Sequence, residues 1–328
     1  MSTCATQYDL DRLASWNFLI SQSVDLATSF ITIISSVFAI KLLVCKSIFQ
    51  NSTKILLLLN LWYANLHQVI YGMEAAIVIY KHFYMQDKPC SLLQLESDCA
   101  PYQKTLLGSA SGMILCQTGL ILERSIATFL PDYKGKTSLI TGTSIAIIIF
   151  AMSSQTGQVV YWDNPLSGAV LACFVFPKQS GSRPLNYFFV CTVVALLNLT
   201  VAIVLKRYNK KLEYQIRFKI SARFHTREVI ESTGTICFLT FSQFLLIFIY
   251  SFGVSIMKSI RSSIAAETYH FWVIWFYSSI PFLAMLFPLL LIYRIRATRS
   301  KRAQRLIGIS NTKQTQEDHI NQINSMWK

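Results

Sequence analysis

Apolar residues gather in seven runs, at about 23–45, 54–80, 102–127, 138–161, 185–206, 234–257 and 270–293. Each is long enough for a helix to cross the roughly 30 Å hydrocarbon core of a bilayer. Polar residues inside the runs are few and patterned. In the second, Asn60, His67 and Glu74 recur every seven residues, close to one helical face, with Tyr63 and Tyr71 alongside. Such a stripe is costly against lipid and predicts a face turned to the bundle interior or a water-filled cavity. Glu74, about one to two turns below the outer end, is the candidate singled out for ligand contact, with His67 deeper on its face. The competing role for Glu74 is a hydrogen bond to a neighbouring helix. In the third run, Gly108, Ser109, Ser111, Gly112 and Gly119 predict close helix packing, and Gln117 points inward. Gln243 in the sixth run and the cluster His270, Trp272, Trp275 and Tyr277 in the seventh complete the pocket candidates, against the plainer roles of core packing and an interfacial aromatic belt. Asp25, near the outer end of the first run, is expected to reach water. Six of the eight prolines fall between the runs, whereas Pro281 and Pro288 lie in the seventh and predict a kink.

The chain of 328 residues is 53% hydrophobic and 14% charged, with a mean hydropathy of +0.42. That is too apolar for a soluble domain of this length, so the fold class is all-α, an integral membrane bundle of seven helices. A net charge of +14 raises the question of nucleic acid, and its distribution answers it. With the N-terminus outside, 22 of the 30 basic residues fall in inner loops and tail, a strong positive-inside bias. The expected topology is therefore N-terminus out, C-terminus in. Residues 1–22 form an outer tail, 23–293 the bundle and 294–328 a basic inner tail whose first part alternates basic and apolar residues like an interfacial helix. The basic excess suits anionic membrane lipid or an acidic protein partner, and no nucleic-acid partner is expected. Asp9, Asp11 and Arg12 interrupt the first ~20 residues, so no cleavable signal peptide is expected and the first span serves as signal anchor. The sequons at Asn51 and Asn198 fall in an inner loop and inside a span, out of reach of glycosylation.

The stretch from Cys99 to Arg124 ties the two sides of the membrane together. Its ends lie 25 residues apart, roughly 37 Å of helix, and project within about 20° of one another. One face thus carries an outer anchor and, at Glu123-Arg124, an inner charge pair. An arginine held by its neighbouring carboxylate in one state and released to another helix or a partner in a second is a bistable switch. Of eight cysteines, Cys4, Cys90, Cys99 and Cys173 face the oxidising side. Cys99 is assigned to Cys173, leaving Cys4 with Cys90, although four cysteines allow three pairings. The segment 206–231 is basic and amphipathic, expected to extend the fifth and sixth helices inward, and offers Lys210, Lys211, Arg223 and Arg227 as a docking surface. No metal cluster, phosphate-binding glycine loop or nucleophile–base set is apparent, so neither enzyme chemistry nor a cofactor is expected.

Seven spans, a third-helix cysteine, a second-loop cysteine and Glu-Arg 25 residues below resemble the G protein-coupled receptor plan. Leu59-Asn-Leu-Trp-Tyr-Ala-Asn65-Leu is similar to the second-helix pattern of the rhodopsin-like class. The chain departs from that class at Ser125 after Glu123-Arg124, in lacking Cys-Trp-x-Pro in the sixth span, and at Tyr293 two positions late in the seventh. A nearer resemblance is to the nematode serpentine receptor class alpha chemoreceptors. Its carriers include Ala64-Asn-Leu-His-Gln, Glu96-Ser-Asp-Cys, Gly119-Leu-Ile-Leu-Glu-Arg, Cys173-Phe-Val-Phe-Pro-Lys-Gln, Arg207-Tyr-Asn-Lys-Lys-Leu-Glu-Tyr and Phe287-Pro-Leu-Leu-Leu-Ile-Tyr-Arg-Ile-Arg, and it runs from about residue 4 to 300. The resemblance implies a chemosensory receptor of the plasma membrane, in neuronal cilia, acting through a heterotrimeric G protein.

The expected function is detection of a small chemical in the outer half of the bundle, followed by separation of the inner ends of helices five and six, which exposes Arg124 and the basic segment to a Gα subunit. The alternatives are a receptor for an endogenous peptide or transmitter and, from another class, a ligand-gated chemosensory channel. The channel class places its N-terminus inside, opposite to the charge count, and no pore-like ring of charge is visible. A transporter would call for a two-fold repeat and interrupted short helices, and neither is visible. Self-association or pairing with another receptor is left open.

Overall fold

The computed structural model describes residues 4–47, 49–130, 133, 135–163, 166–175, 182–215, 220–311, 320–321 and 325. For 214–215, 220–228, 266, 305–306 and 308–311 it describes the backbone alone. In chain order the elements are α1 (Gln7–Ala14), α2 (Trp16–Lys46), α3 (Asn51–Tyr84), α4 (Pro89–Leu92), β1 (Gln94–Leu95), α5 (Glu96–Phe129), α6 (Lys136–Val160), β2 (Ala169–Val170), α7 (Ser182–Gln215), α8 (Ile220–Ser259), α9 (Ala266–Tyr277) and α10 (Ser279–Asn311). Among the described residues, six helical stretches are long and apolar enough to cross a membrane: α2, α5, α6, α7, α8 and the stretch Glu267–Gln304 made of α9 and α10. The seventh long helix, α3, carries Asn60, His67, Gln68 and Glu74 and is accordingly less apolar, but it packs at the centre of the bundle against α2, α5, α6 and α10.

Outward positions are apolar and bare, among them Phe30, Ile34 and Val37 on α2, Ile140 and Ile147 on α6, and Val190 and Leu197 on α7. A soluble protein would not expose so much contiguous apolar surface, and lipid is the medium that makes it favourable. The interior is correspondingly polar. On α2, Ser21, Gln22, Asp25, Thr28, Ser29, Thr32, Ser35 and Ser36 are buried along one side. The hydroxyls are satisfied largely within their own helix, Thr28 Oγ1 donating to the Asp25 carbonyl (2.8 Å) and Thr32 Oγ1 to the Thr28 carbonyl (2.7 Å). Ser29 Oγ also donates to Gln68 Oε1 (2.9 Å), and Gln68 Nε2 to the Pro281 carbonyl (2.5 Å), which clamps α2, α3 and α10 together. Asp25 is 1% exposed, which corrects the expectation that it reaches water.

Small residues set the helix spacing, as the third run predicts. A Cβ at Gly112 would lie 2.5 Å from the Tyr63 ring, and one at Gly142 only 2.5 Å from Ser52 Cα, so α6 lies directly against the backbone of α3. Helix α5 begins at Glu96, earlier than its apolar run, and takes Pro101 into its second turn, so this proline does not lie between helices. Pro89 begins α4, and Pro288 sits inside α10. The seventh helix is interrupted at Ser278, which caps α9. Pro281, three residues on, lacks an N–H and crowds the carbonyl of Tyr277, so the expected kink takes the form of a break.

Candidate ligand cavity and inner switch

At one end of the bundle two disulfides, Cys4–Cys90 and Cys99–Cys173, hold the connecting segments down. Both are the pairs assigned from the sequence. The segment before α7 is pinned further by a two-stranded ladder, Gln94 opposite Val170 and Leu95 opposite Ala169. Lys81 Nζ donates to the Leu171 carbonyl (2.9 Å), Gln103 Nε2 to the Val175 carbonyl (2.8 Å), and the Cys173 N–H to Glu74 Oε2 (3.1 Å). Glu74 is therefore engaged in fixing this segment, a loop backbone partner that differs from the neighbouring helix named as the alternative to ligand contact.

Phe174, carried on that pinned segment, lines two small cavities in the bundle, and Val175 lines the second of them. One, of about 40 Å³, is lined by His67, Gln103, Phe174, Tyr250 and Pro281 among others. The second, of about 30 Å³, is lined by Arg12, Gln22, Asp25, Phe174 and Ser278, and the two share Tyr71, Phe174 and Tyr277. A third, of about 790 Å³, opens at the surface between α1 and α9, is lined by Asp11, Arg12, Asn17, Glu267 and His270, and shares Arg12 and Ile274 with the second. Among the described residues, five buried heteroatoms around the inner cavities have no hydrogen-bond partner: Arg12 Nε, Gln22 Oε1, Asp25 Oδ1, His67 Nδ1 and Gln103 Oε1. The other oxygen of Asp25 accepts from Ser278 Oγ (3.3 Å). Arg12 lies in the capped helix α1, where Thr6 and Asp9 form a reciprocal capping box. Burial lowers its pKa, opposed by the nearby Tyr8 and Asp9, and the guanidinium remains charged.

The predicted pocket residues divide. His67 lines the inner cavity, stacked on Tyr71 with ring centroids 5.7 Å apart. His270 lines the outer one and is in contact with Tyr8. Trp275 donates to Asn17 Oδ1 (3.3 Å), joining α9 to α2. Gln117 is buried between helices, accepting from Thr240 Oγ1 (3.2 Å), and Gln243 is buried with Nε2 unpartnered. Neither glutamine lines these cavities. The sequence reading passed over Gln22 and did not count Asp25 or Arg12 among the pocket residues. Gln22 and Asp25 were signalled by the three- and four-residue spacing of polar positions at the start of the first helix, a helical periodicity like the seven-residue recurrence in the second run.

At the opposite end, Glu123 and Arg124 are 0% and 1% exposed. Arg124 donates to both carboxylate oxygens of Glu123, from Nε (2.6 Å) and Nη2 (2.5 Å). Nη2 also meets Thr53 Oγ1 (2.7 Å) and Gln50 Oε1 (3.1 Å), while Nη1 reaches α8 at Ser232 Oγ (2.8 Å). Glu123 accepts in addition from Ser52 (2.5 Å), Thr53 (3.1 Å) and Tyr133 (3.3 Å). The carboxylate thus sits at the first turn of α3, where the helix dipole favours negative charge, and the arginine bridges α3, α5 and α8. Lys210 and Lys211 are exposed near the end of α7, where the neighbouring Asn209 is buried and donates to Thr128 Oγ1 (3.0 Å) on α5. The side chains of Arg223 and Arg227 lie outside the described residues.

A sequence model of the serpentine type seven-transmembrane G protein-coupled chemoreceptor Sra matches residues 1–327. Among curated proteins of Caenorhabditis elegans, serpentine receptor class alpha-8 is 56% identical over 99% of both chains, and serpentine receptor class alpha-9 is 52% identical over 99% of this chain and 98% of its own. Serpentine receptor class alpha-6 is 48% identical over the same shares. With seven long helices, an apolar exterior and these relatives along its whole length, the chain belongs to the Sra family of serpentine chemoreceptors and is a multi-pass membrane protein.

Proposed function

We propose that this protein is a chemosensory receptor of the plasma membrane, in sensory cilia, which binds a small chemical through the disulfide-bearing outer end of its bundle and signals through a heterotrimeric G protein at the other. It works by changing shape, without covalent chemistry or a cofactor. The observation that carries this reading is the position of Arg124. A buried cation whose hydrogen bonds span three helices holds α8 against α3 and α5 as long as Ser232 accepts from it. Movement of α8 away from α5 would free that guanidinium and open the inner face, beside Lys210 and Lys211 of α7, to a Gα subunit, and the sequence positions of Arg223 and Arg227 early in α8 make them further candidates for that contact. The small inner cavities fit the same state, because a ligand that must part Phe174 from the rings of Tyr71 and Tyr277 binds an open form better and shifts the population toward it.

The latch is tested by Ser232→Ala. Losing one hydrogen bond to a charged group costs the held state about 1.5–3 kcal/mol, so guanine-nucleotide exchange on the coupled Gα without ligand is expected to rise about ten-fold or more over wild type at matched surface expression. Unchanged basal exchange, with coupling otherwise demonstrated, would remove Ser232 from the latch.

A further inference from the structure

The middle cavity is lined by an acid and a base that do not pair. Arg12, from α1, and Asp25, from α2, both line it, yet no ion pair joins them among the described residues. Arg12 Nε and Asp25 Oδ1 each lack a hydrogen-bond partner, and so does Gln22 Oε1 one turn before Asp25. Asp25 and Gln22 are each 1% exposed. The guanidinium rests over the Phe18 ring at 5.4 Å, which offers a face but no acceptor. Unpartnered buried polar atoms are costly, and a carboxylate and a guanidinium left facing one cavity are costlier still. What would satisfy them together is one molecule with both a donor-rich cation and an anion.

We propose that the ligand is a zwitterion of amino-acid type, its ammonium held by Asp25 and Gln22 and its carboxylate by Arg12. Three features support this, given that the protein is a receptor of the kind described. An ammonium has three donors and meets two acceptors, Asp25 Oδ1 and Gln22 Oε1, while the rings of Tyr71, Phe174 and Tyr277 supply faces that favour a cation. A guanidinium takes a carboxylate bidentately. The cavity as it stands is only about 30 Å³, which limits the ligand to a small molecule seated as the shared rings part and this space joins the one beside His67. A peptide would not fit there.

Access fits the same assignment. The surface cavity of about 790 Å³ meets the middle one at Arg12 and Ile274, whereas the direct way from above is closed by Phe174, Val175, the β-ladder and the Cys99–Cys173 bridge. Arg12 therefore stands where the outer space becomes the inner one, placed to draw in a carboxylate first.

The test is thermal melting of the purified full-length receptor in lipid nanodiscs with each of the twenty standard amino acids, their decarboxylated amines and their deaminated acids. At least one amino acid is expected to raise the melting midpoint in a saturable way, and its amine and its acid to bind at least about ten-fold more weakly, about 1.4 kcal/mol. Arg12→Gln should abolish the preference for the amino acid over its amine, and Asp25→Asn the preference over its acid. Where either fails to melt cooperatively, Gln22→Met, which removes one ammonium acceptor, and Arg12→Lys, which keeps charge without bidentate geometry, are expected to weaken binding in the same directions. No stabilisation by any amino acid, or an amine bound as tightly as its amino acid whatever stands at position 12, overturns the assignment. Because melting needs no G protein, binding without coupling would leave the ligand class standing and remove the signalling reading, and coupling without amino-acid binding would do the reverse.

Discussion

Glu123→Ala is expected to abolish delivery of the receptor to the cell surface, whereas Arg124→Ala leaves most of it in place. The two residues form one buried pair, but they depend on each other unequally. Without Glu123, the guanidinium keeps only neutral acceptors, Ser232, Thr53 and Gln50, and remains charged in a site from which water is shut out. Breaking a buried pair from this side costs about 3–5 kcal/mol, a large part of the stability of an ordinary fold. Without Arg124, the carboxylate still accepts from Ser52, Thr53 and Tyr133 at the first turn of α3. Surface labelling of tagged receptor, with melting of the solubilised protein, distinguishes the cases. Equal loss in both variants would show that the hydroxyls around Glu123 do not hold it alone.

The second large effect is expected from Cys99→Ser combined with Cys173→Ser. The bridge closes a loop of 74 residues, for which the chain-entropy form gives about 4.5 kcal/mol, and loss of a native disulfide commonly costs about 2–5 kcal/mol. Local contacts depend on it as well. Cys173 stands between Leu171, held by Lys81, and Val175, held by Gln103, and its own N–H is the donor to Glu74. Released, this stretch would leave Glu74 buried without that donor and would withdraw Phe174 from the cavities. Surface expression is expected to fall to a small fraction of wild type, and whatever reaches the surface should lose saturable ligand response. Normal expression of the double variant would mean that the ladder of β1 and β2 and the three side-chain bonds suffice without the bridge.

The helices were legible because lipid demands it: a segment crossing a bilayer must satisfy its own backbone and face apolar neighbours, so length and apolarity identify it. The stripe through Asn60, His67 and Glu74 was legible on the same ground, and all three are buried. Cys99 and Cys173 could be paired because only four of the eight cysteines lie away from the apolar runs, on the side assigned to the outside. Asp25 was misplaced because a single acid near the end of an apolar run looks interfacial, and only the hydroxyls repeating behind it mark an inward face. The contact that Glu74 makes was not legible, because its partner is a backbone N–H from a loop 99 residues away, and no local pattern announces such a contact. The lining of both inner cavities by Phe174, the sharing of Arg12 between two cavities, and the bond from Arg124 to Ser232 all join distant segments. The break at Ser278 was half legible, since Pro281 marks the place but not whether the helix bends or stops.

The central claim, that Arg124 at the inner end belongs to a G protein switch, is tested most directly by energy transfer between the tagged receptor and a panel of Gα subunits in cell membranes. The signal is read with and without excess guanine nucleotide, for wild type and Arg124→Ala at matched surface density. A signal with at least one Gα that collapses on nucleotide addition in the wild type and is changed several-fold by Arg124→Ala is the expected result. A nucleotide-insensitive signal with every Gα, or one that Arg124→Ala leaves untouched, would contradict it.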